Sequence, residues 1–394
     1  MNYIIGTGNF GIIVREFLER NKIKISGFIE LNPTDVRALH DNVPIVSLQK
    51  INKDDVLFIG TNRYNHKWIQ NEFAGIATLK FADEYLNVEE VESINFSPNL
   101  NWSREKVEDE IRYYFVIRRN VSHKKEDSLP IILNSLDIVV TEKCTLKCVD
   151  CSNLMQYYET PKNADSIGMI ANIDKILDAT YIKTLRFIGG EPLINKGLAS
   201  MIDNVYSKWK HKVTSVEIYT NGTLLPRPDL LAVCKNNPVT FYISDYGTTS
   251  KRLDDVASIL KENDIRFAVE SNLTWHDCGR VLPYYSENIE YKYANCCNAK
   301  TFSLLDDYLY DCPFAANFHN LYDDVEKTDR DSIFIPGLNK SQLTEQILAM
   351  QLDDSPLTAC YYCKGRDYSS ETVEIAIQTK EILKRPINLV NEYS

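Results

Sequence analysis

Three cysteines, Cys144, Cys148 and Cys151, fall within eight consecutive positions. Thiolates at that density are metal ligands before they are anything else. An iron-sulfur cubane takes four cysteines as a rule. Three leave one iron with an open position, which can bind a substrate or cofactor instead of only relaying electrons. Zinc is the plainer alternative, but zinc sites show paired CxxC units or histidines at fixed spacing, and neither accompanies this loop.

Such a loop needs a scaffold. From Leu136 onward, apolar runs near 136–140, 184–188, 215–219, 239–243 and 265–269 alternate with amphipathic helical stretches. Five βα units in a row predict a partial barrel of parallel strands. Each run is followed by a polar cluster: the cysteine loop, Gly189-Gly190-Glu191-Pro192, Thr220-Asn221-Gly222, Ser244-Asp245-Tyr246-Gly247 and Glu270-Ser271-Asn272. Catalytic groups of βα barrels sit at those strand ends.

The amino-terminal stretch carries a second pattern. Tyr3-Ile4-Ile5 reads as a strand, Gly6-x-Gly8-x-x-Gly11 as a turn, and Ile12, Ile13, Phe17 and Leu18 as one face of a helix. That spacing suits phosphate at a helix amino terminus. Glu30 closes the next strand, where a ribose hydroxyl would be received. An inert docking domain, its glycines serving only the turn, is the alternative. The fold class is therefore α/β: a Rossmann-like parallel sheet over 1–90, a helical connector over 91–133 containing one helix over 104–119, a partial (β/α)6 TIM-type barrel over 134–290, and a cysteine-rich carboxy-terminal region over 291–394.

The CxxxCxxC loop after a first strand, with Gly189-Gly190-Glu191-Pro192 after a second, resembles the radical S-adenosylmethionine superfamily. The resemblance implies that Cys144, Cys148 and Cys151 hold a 4Fe-4S cluster and that S-adenosylmethionine chelates the open iron through its methionine end. Gly189, Gly190, Glu191 and Pro192 would then receive the methionine ammonium, glycine carbonyls approaching it and Glu191 adding opposite charge. Ser244 and Asp245, and Asn221 beside them, resemble contacts to the cofactor's ribose or carboxylate, although Thr-Asn-Gly is also an ordinary turn. Asp150 stands where the family often has an aromatic residue. The chemistry implied is one-electron cleavage of the cofactor, giving a 5'-deoxyadenosyl radical that takes hydrogen from an unreactive carbon. A reducing partner such as flavodoxin or ferredoxin goes with it.

Cys296, Cys297, Cys312, Cys360 and Cys363, with the segment Leu305 to Pro313, resemble the twitch or SPASM type of auxiliary domain, which holds a second 4Fe-4S cluster. Asp307 replaces a usual glycine. The set chosen is Cys297, Cys312, Cys360 and Cys363, with Cys296 an equal candidate for the first place and structural zinc the alternative. Cys234 reads as a buried small hydrophobe. Cys278 reads either as packing or as a hydrogen-atom donor of the kind family epimerases use.

The amino-terminal pattern also resembles small domains attached to sugar-modifying proteins. The function expected is oxidation or epimerisation of a small-molecule substrate, a carbohydrate or nucleotide-sugar. A peptide-modifying maturase and a non-catalytic iron-sulfur or zinc scaffold are the rivals. A net charge of -11 gives no broad footprint for nucleic acid or an anionic membrane. No apolar run approaches the roughly 20 residues a membrane span needs. With a strand at the very start in place of a signal peptide, a cytoplasmic location is expected, where thiols stay reduced.

Overall fold

The computed structural model describes residues 1–30, 43–47, 50–60 and 131–384, the last without 272, 284–287, 323, 324, 326 and 367–370, together with scattered positions between 39 and 111. Two units divide the chain, Met1–Leu129 and Pro130–Ser394.

In the first unit, β1 (Asn2–Ile5), α1 (Asn9–Arg20), β2 (Gly27–Ile29), β3 (Val56–Ile59) and β4 (Thr78–Lys80) follow one another. The strands pair in parallel in the order β2-β1-β3-β4, and Ile45 bridges in parallel to Phe28 beyond β2. Ile4, Ile5, Leu57 and Ile59 are fully buried, as strands covered on both faces must be. α1 packs Phe10, Ile13, Val14, Phe17 and Leu18 into the core, and Val107 and Ile111 join the same cluster. Most of the helix expected over 104–119 lies outside the described residues.

The second unit opens with β5 (Ile131–Val139), α2 (Ser166–Ala179), β6 (Thr180–Ile188), α3 (Leu198–Trp209), β7 (Val213–Thr220), α4 (Pro228–Asn236), β8 (Val239–Ser244), α5 (Leu253–Glu262) and β9 (Arg266–Glu270). All five strands are parallel, and chain neighbours are sheet neighbours. Then come α6 (Ile289–Asn295), β10 (Phe302–Leu305), β11 (Tyr308–Tyr310), α7 (Pro313–Leu321), β12 (Ser332–Phe334) and α8 (Lys340–Leu352). The sheet order is β9-β8-β7-β6-β5-β10-β11-β12.

The sixth parallel strand thus differs from a plain (β/α)6 reading: β10 pairs with β5 rather than β9, and it comes from the cysteine-rich segment. The reason lies in its apolar positions. Phe302 and Leu304 enter the same buried cluster as Leu136 and Ile138, so the segment extends the barrel sheet.

Strand alternation divides the second unit's polar and apolar residues. Leu136, Ile138, Leu185, Phe187, Ile218, Phe241 and Ile243 share one core with Met169, Ile173, Ile176 and Leu177 of α2. Each side chain so buried contributes about 1.5–3 kcal/mol. The intervening positions, Asp137, Arg186, Glu217, Tyr219, Tyr242 and Glu270, fall on the opposite face and are polar. Asp165 caps α2 by accepting the Gly168 N–H at 2.8 Å, and Asn339 with Gln342 forms a capping box on α8.

Candidate active site

The cysteine loop leaves β5 and is fastened to the loop that leaves β6. Gly190 N–H donates to Thr141 O at 2.9 Å and Glu191 N–H to Lys143 O at 2.8 Å. A Cβ at Gly189 would stand 2.3 Å from Thr141 O, and one at Gly190 2.3 Å from Lys143 O. Both glycines are therefore required by backbone contact, before any ligand is considered.

Glu191 is fully buried. Its Oε1 accepts from Leu193 N–H at 3.1 Å and the Thr220 hydroxyl at 2.9 Å, and its Oε2 from Asn221 N–H at 2.8 Å. Burial outweighs those donors and pushes the carboxyl up to about 7. The side chain expected to meet the cofactor's ammonium is thus occupied inside the fold, tying the end of β6 to the end of β7. Pro192, also buried, starts the short helical turn that follows.

Over the strand ends lies a cavity of about 370 Å³. Asp137, Arg186, Ile188, Gly189, Gly190, Tyr219, Thr220, Asn221 and Ser244 line it from the barrel, Ser152 and Asn153 from the cysteine loop, and Tyr246 from the loop after β8. Cys297, Asn298, Thr301, Pro313 and Arg366 line it from the cysteine-rich segment. Of the cofactor residues expected from sequence, Gly189, Gly190, Asn221 and Ser244 line the cavity, whereas Glu191, Pro192 and Asp245 do not. Asp245 stabilises its own turn, Oδ1 accepting Gly247 N–H at 2.9 Å and Oδ2 the Ser271 hydroxyl at 3.2 Å.

Cys144, Cys148 and Cys151 adjoin this cavity. Asn221 Nδ2 reaches Cys144 Sγ at 3.6 Å. The Tyr246 hydroxyl titrates high, first because it is buried and then because all three thiols act on it. Burial first, and then the charge of neighbouring groups, lifts Cys144 to about 12 and Cys148 to about 11. Bare thiolates are disfavoured here, and cationic iron would reverse that balance. Among the described residues no three His, Cys, Asp or Glu side chains converge on a single-ion position; a cubane instead offers each thiolate its own iron. The donor set fits the group that the loop's spacing implies.

The loop is closed from a distance. Val149 N–H donates to Ile377 O at 2.7 Å, Thr379 N–H to Lys147 O at 2.8 Å, and Gln378 Nε2 to Cys148 Sγ at 3.1 Å. Asp150, in the position usually aromatic, is paired with Arg280 at 2.5 Å.

In the second cysteine set the structure separates the two neighbouring candidates. Cys296, Cys312, Cys360 and Cys363 surround a small apolar cavity with Tyr293, Phe314 and Leu357. The Cys312 thiol is raised first by burial and then by Cys296, Cys360 and Cys363. Cys297 is exposed and faces the large cavity instead. The physical cause is the end of α6. Cys296 caps the helix, while Lys292, one turn earlier, donates its Nζ to Cys360 O at 3.1 Å and Cys363 O at 2.8 Å. That tie turns Cys296 toward the CxxC and its neighbour away.

Cys278 does not line the large cavity. It is buried, pushed up to about 11, and it acts on Cys363. It stands beside the second set, close enough to Arg366 and Cys297 of the cavity wall for both to act on it. Cys234 is buried in the main core. All ten cysteines are free thiols.

In the first unit, Gly6 adopts φ +100° and donates its N–H to Ile29 O at 2.8 Å. A Cβ at Gly11 would meet Gly6 O at 2.2 Å, so these two glycines let α1 approach β1. Gly8 meets no such obstacle and precedes α1, whose first turn has no side-chain cap. Glu30, directly after β2, accepts a hydrogen bond from the Thr7 hydroxyl in the glycine turn after β1.

Sequence reasoning passed over Asp137, Arg186, Tyr219, Asn298, Thr301 and Arg366. The available signal was a charged residue at the centre of an apolar strand, Leu136-Asp137-Ile138 and Leu185-Arg186-Phe187.

The family described as a 4Fe-4S single cluster domain matches residues 137–241. Similar curated proteins include a GTP 3',8-cyclase of Clostridium acetobutylicum, 29% identical over 145 residues, covering 33% of this chain and 44% of that protein. Another, from Pelotomaculum thermopropionicum, is 32% identical over 104 residues, covering 26% of this chain and 31% of that protein. The chain thus spans less than half the length of these relatives. Among solved structures, BtrN in complex with AdoMet and 2-DOIA aligns with a TM-score of 0.34 at 15% identity, covering 65% of this chain and 98% of that one. The three-cysteine loop and the Gly-Gly-Glu fastening after β6 both lie inside the stretch that this family matches. The description of the matched family names a 4Fe-4S cluster, a group that the Cys144, Cys148 and Cys151 donor set fits. Among the described residues no helix is long and apolar enough to cross a membrane.

Proposed function

We propose that this chain removes hydrogen from a carbon of a small carbohydrate, free or linked to a nucleotide, and that the second cysteine set carries a 4Fe-4S electron acceptor. The product is an oxidised sugar, or an inverted one where hydrogen is returned. One observation carries the reading: a single cavity is walled by the first cysteine loop, the strand ends and the segment holding the second set.

When bound, the cluster and cofactor supply a carbon radical able to attack an unactivated C–H bond. Cys144, Cys148 and Cys151 hold the cluster, while the Gly189 and Gly190 backbone, Asn221 and Ser244 orient the cofactor. Tyr219, Asn298 and Thr301 offer hydroxyl and amide partners suited to a polyol. Cys296, Cys312, Cys360 and Cys363 hold the acceptor. Gly6, Gly8, Gly11 and Glu30 would bind a nucleotide, and a flavodoxin or ferredoxin would deliver the reducing electron. The relatives' name refers to GTP, which supports a nucleotide-linked substrate.

The test is anaerobic. Reconstituted protein with reductant and S-adenosylmethionine should release 5'-deoxyadenosine, and Cys148→Ala should abolish it. Deuterated sugars and nucleotide-sugars should then transfer label into that product. Release of 5'-deoxyadenosine with no label from any of them rejects the carbohydrate assignment.

A further inference from the structure

The cavity's charge differs from that of the chain around it. The protein carries a net charge of -11, yet the cavity wall holds two guanidiniums, Arg186 and Arg366, against one carboxylate, Asp137. Arg186 pairs with that carboxylate through Nε at 2.5 Å, and its two terminal nitrogens make no hydrogen bond among the described residues. Arg366 has no acidic partner among the described residues. Its backbone is fixed, since its carbonyl accepts the Cys297 N–H at 2.7 Å. Arg366 is close enough to act on the Cys278 and Cys296 thiols, and a half-buried guanidinium with no carboxylate partner keeps nitrogens for a planar, two-pronged contact to an oxyanion.

We infer that Arg366, with Arg186 opposite, seats an anionic group of the substrate, a phosphate or a carboxylate. The inference deepens the proposed function and rests on the same cavity. S-adenosylmethionine also has a carboxylate, but its amino-acid end belongs over the first cysteine loop and Gly189-Gly190. Arg366 comes from the other wall, beside Cys297. Neutral free sugars would therefore be poor substrates, and sugar phosphates, sugar acids or nucleotide-sugars good ones.

Inorganic pyrophosphate is the probe, titrated calorimetrically into the cluster-loaded protein at low ionic strength without S-adenosylmethionine. Wild type should bind it, and Arg366→Gln should bind at least about tenfold more weakly, as expected for a lost charge-assisted hydrogen-bond pair. Arg366→Lys should recover part of the loss, which also shows that the site is folded. Arg227→Gln, removing a half-buried arginine that is paired with Asp229 and does not line the cavity, should leave probe binding unchanged. Affinity for S-adenosylmethionine should be the same in Arg366→Gln and wild type. The inference is overturned if wild type fails to bind the probe, if Arg366→Gln binds it equally well, if Arg227→Gln weakens it as much, or if Arg366→Gln instead loses S-adenosylmethionine. Absence of 5'-deoxyadenosine would reject the radical reading alone, because the binding measurement needs no turnover.

Discussion

The main-chain N–H of Asn221 donates to the buried carboxylate of Glu191 at 2.8 Å, joining the loops after the second and third barrel strands. Glutamine at 191 would turn an amide N–H toward that donor. Glu191→Gln should destabilise the fold by about 1–3 kcal/mol, read as a lower urea midpoint at pH 7.5.

The same carboxyl gives a pH test. Its folded value, about 7, lies above the ordinary 4.5. Its contribution to stability is therefore complete below 4.5 and is lost as pH rises through 7. A shift of this size corresponds to roughly 3 kcal/mol. Wild-type protein should lose stability across that window, and Glu191→Gln should show a flatter profile.

Gly190→Ala places a Cβ 2.3 Å from Lys143 O and 2.8 Å from Cys144 Cβ. Neither backbone can yield without moving a cluster ligand. Purified variant should lose about four iron atoms per chain, while Gly247→Ala, a site with no atom near its Cβ but with φ +59°, should keep its iron despite a small loss of stability.

Neighbouring cysteines should behave differently. Cys296→Ala should remove the second cluster, lowering iron from about eight to about four atoms per chain. Cys297→Ala should leave iron unchanged, and in wild type Cys297 should be alkylated before Cys296. Equal iron loss in both variants would contradict the assignment.

Beneath the second set, Lys300 is buried and donates to Asp311 at 3.0 Å, while Arg330 reaches the same carboxylate at 2.6 Å. Removing one partner of a buried pair costs about 3–5 kcal/mol. Lys300→Ala should lower the thermal midpoint far more than Lys340→Ala, whose ion pair with Asp178 is exposed.

How much the sequence disclosed follows from what each residue does. The first three cysteines and the two glycines were legible because their chemistry and close packing tolerate few other residues. Cys296 and Cys297 were indistinguishable, since adjacent positions differ only in where the end of α6 directs them. Glu191 was read as a ligand-facing acid because a charge is expected in water; three local donors make burial possible. β5 begins at Ile131, earlier than its apolar run suggested, because Asn134 and Ser135 interrupt the pattern. β10 and β11 are too short for alternation to reveal, and only their pairing partners define them. Asp137 and Arg186 satisfy each other across adjacent strands, a match visible once register is known.

Gln378 meets Cys148 across 230 positions of sequence. A contact of that sequence separation is among the slowest to form, because the entropy of closing so long a loop must be met before the contact rewards it. The surroundings of Cys148 are therefore completed only when the carboxy-terminal segment folds back.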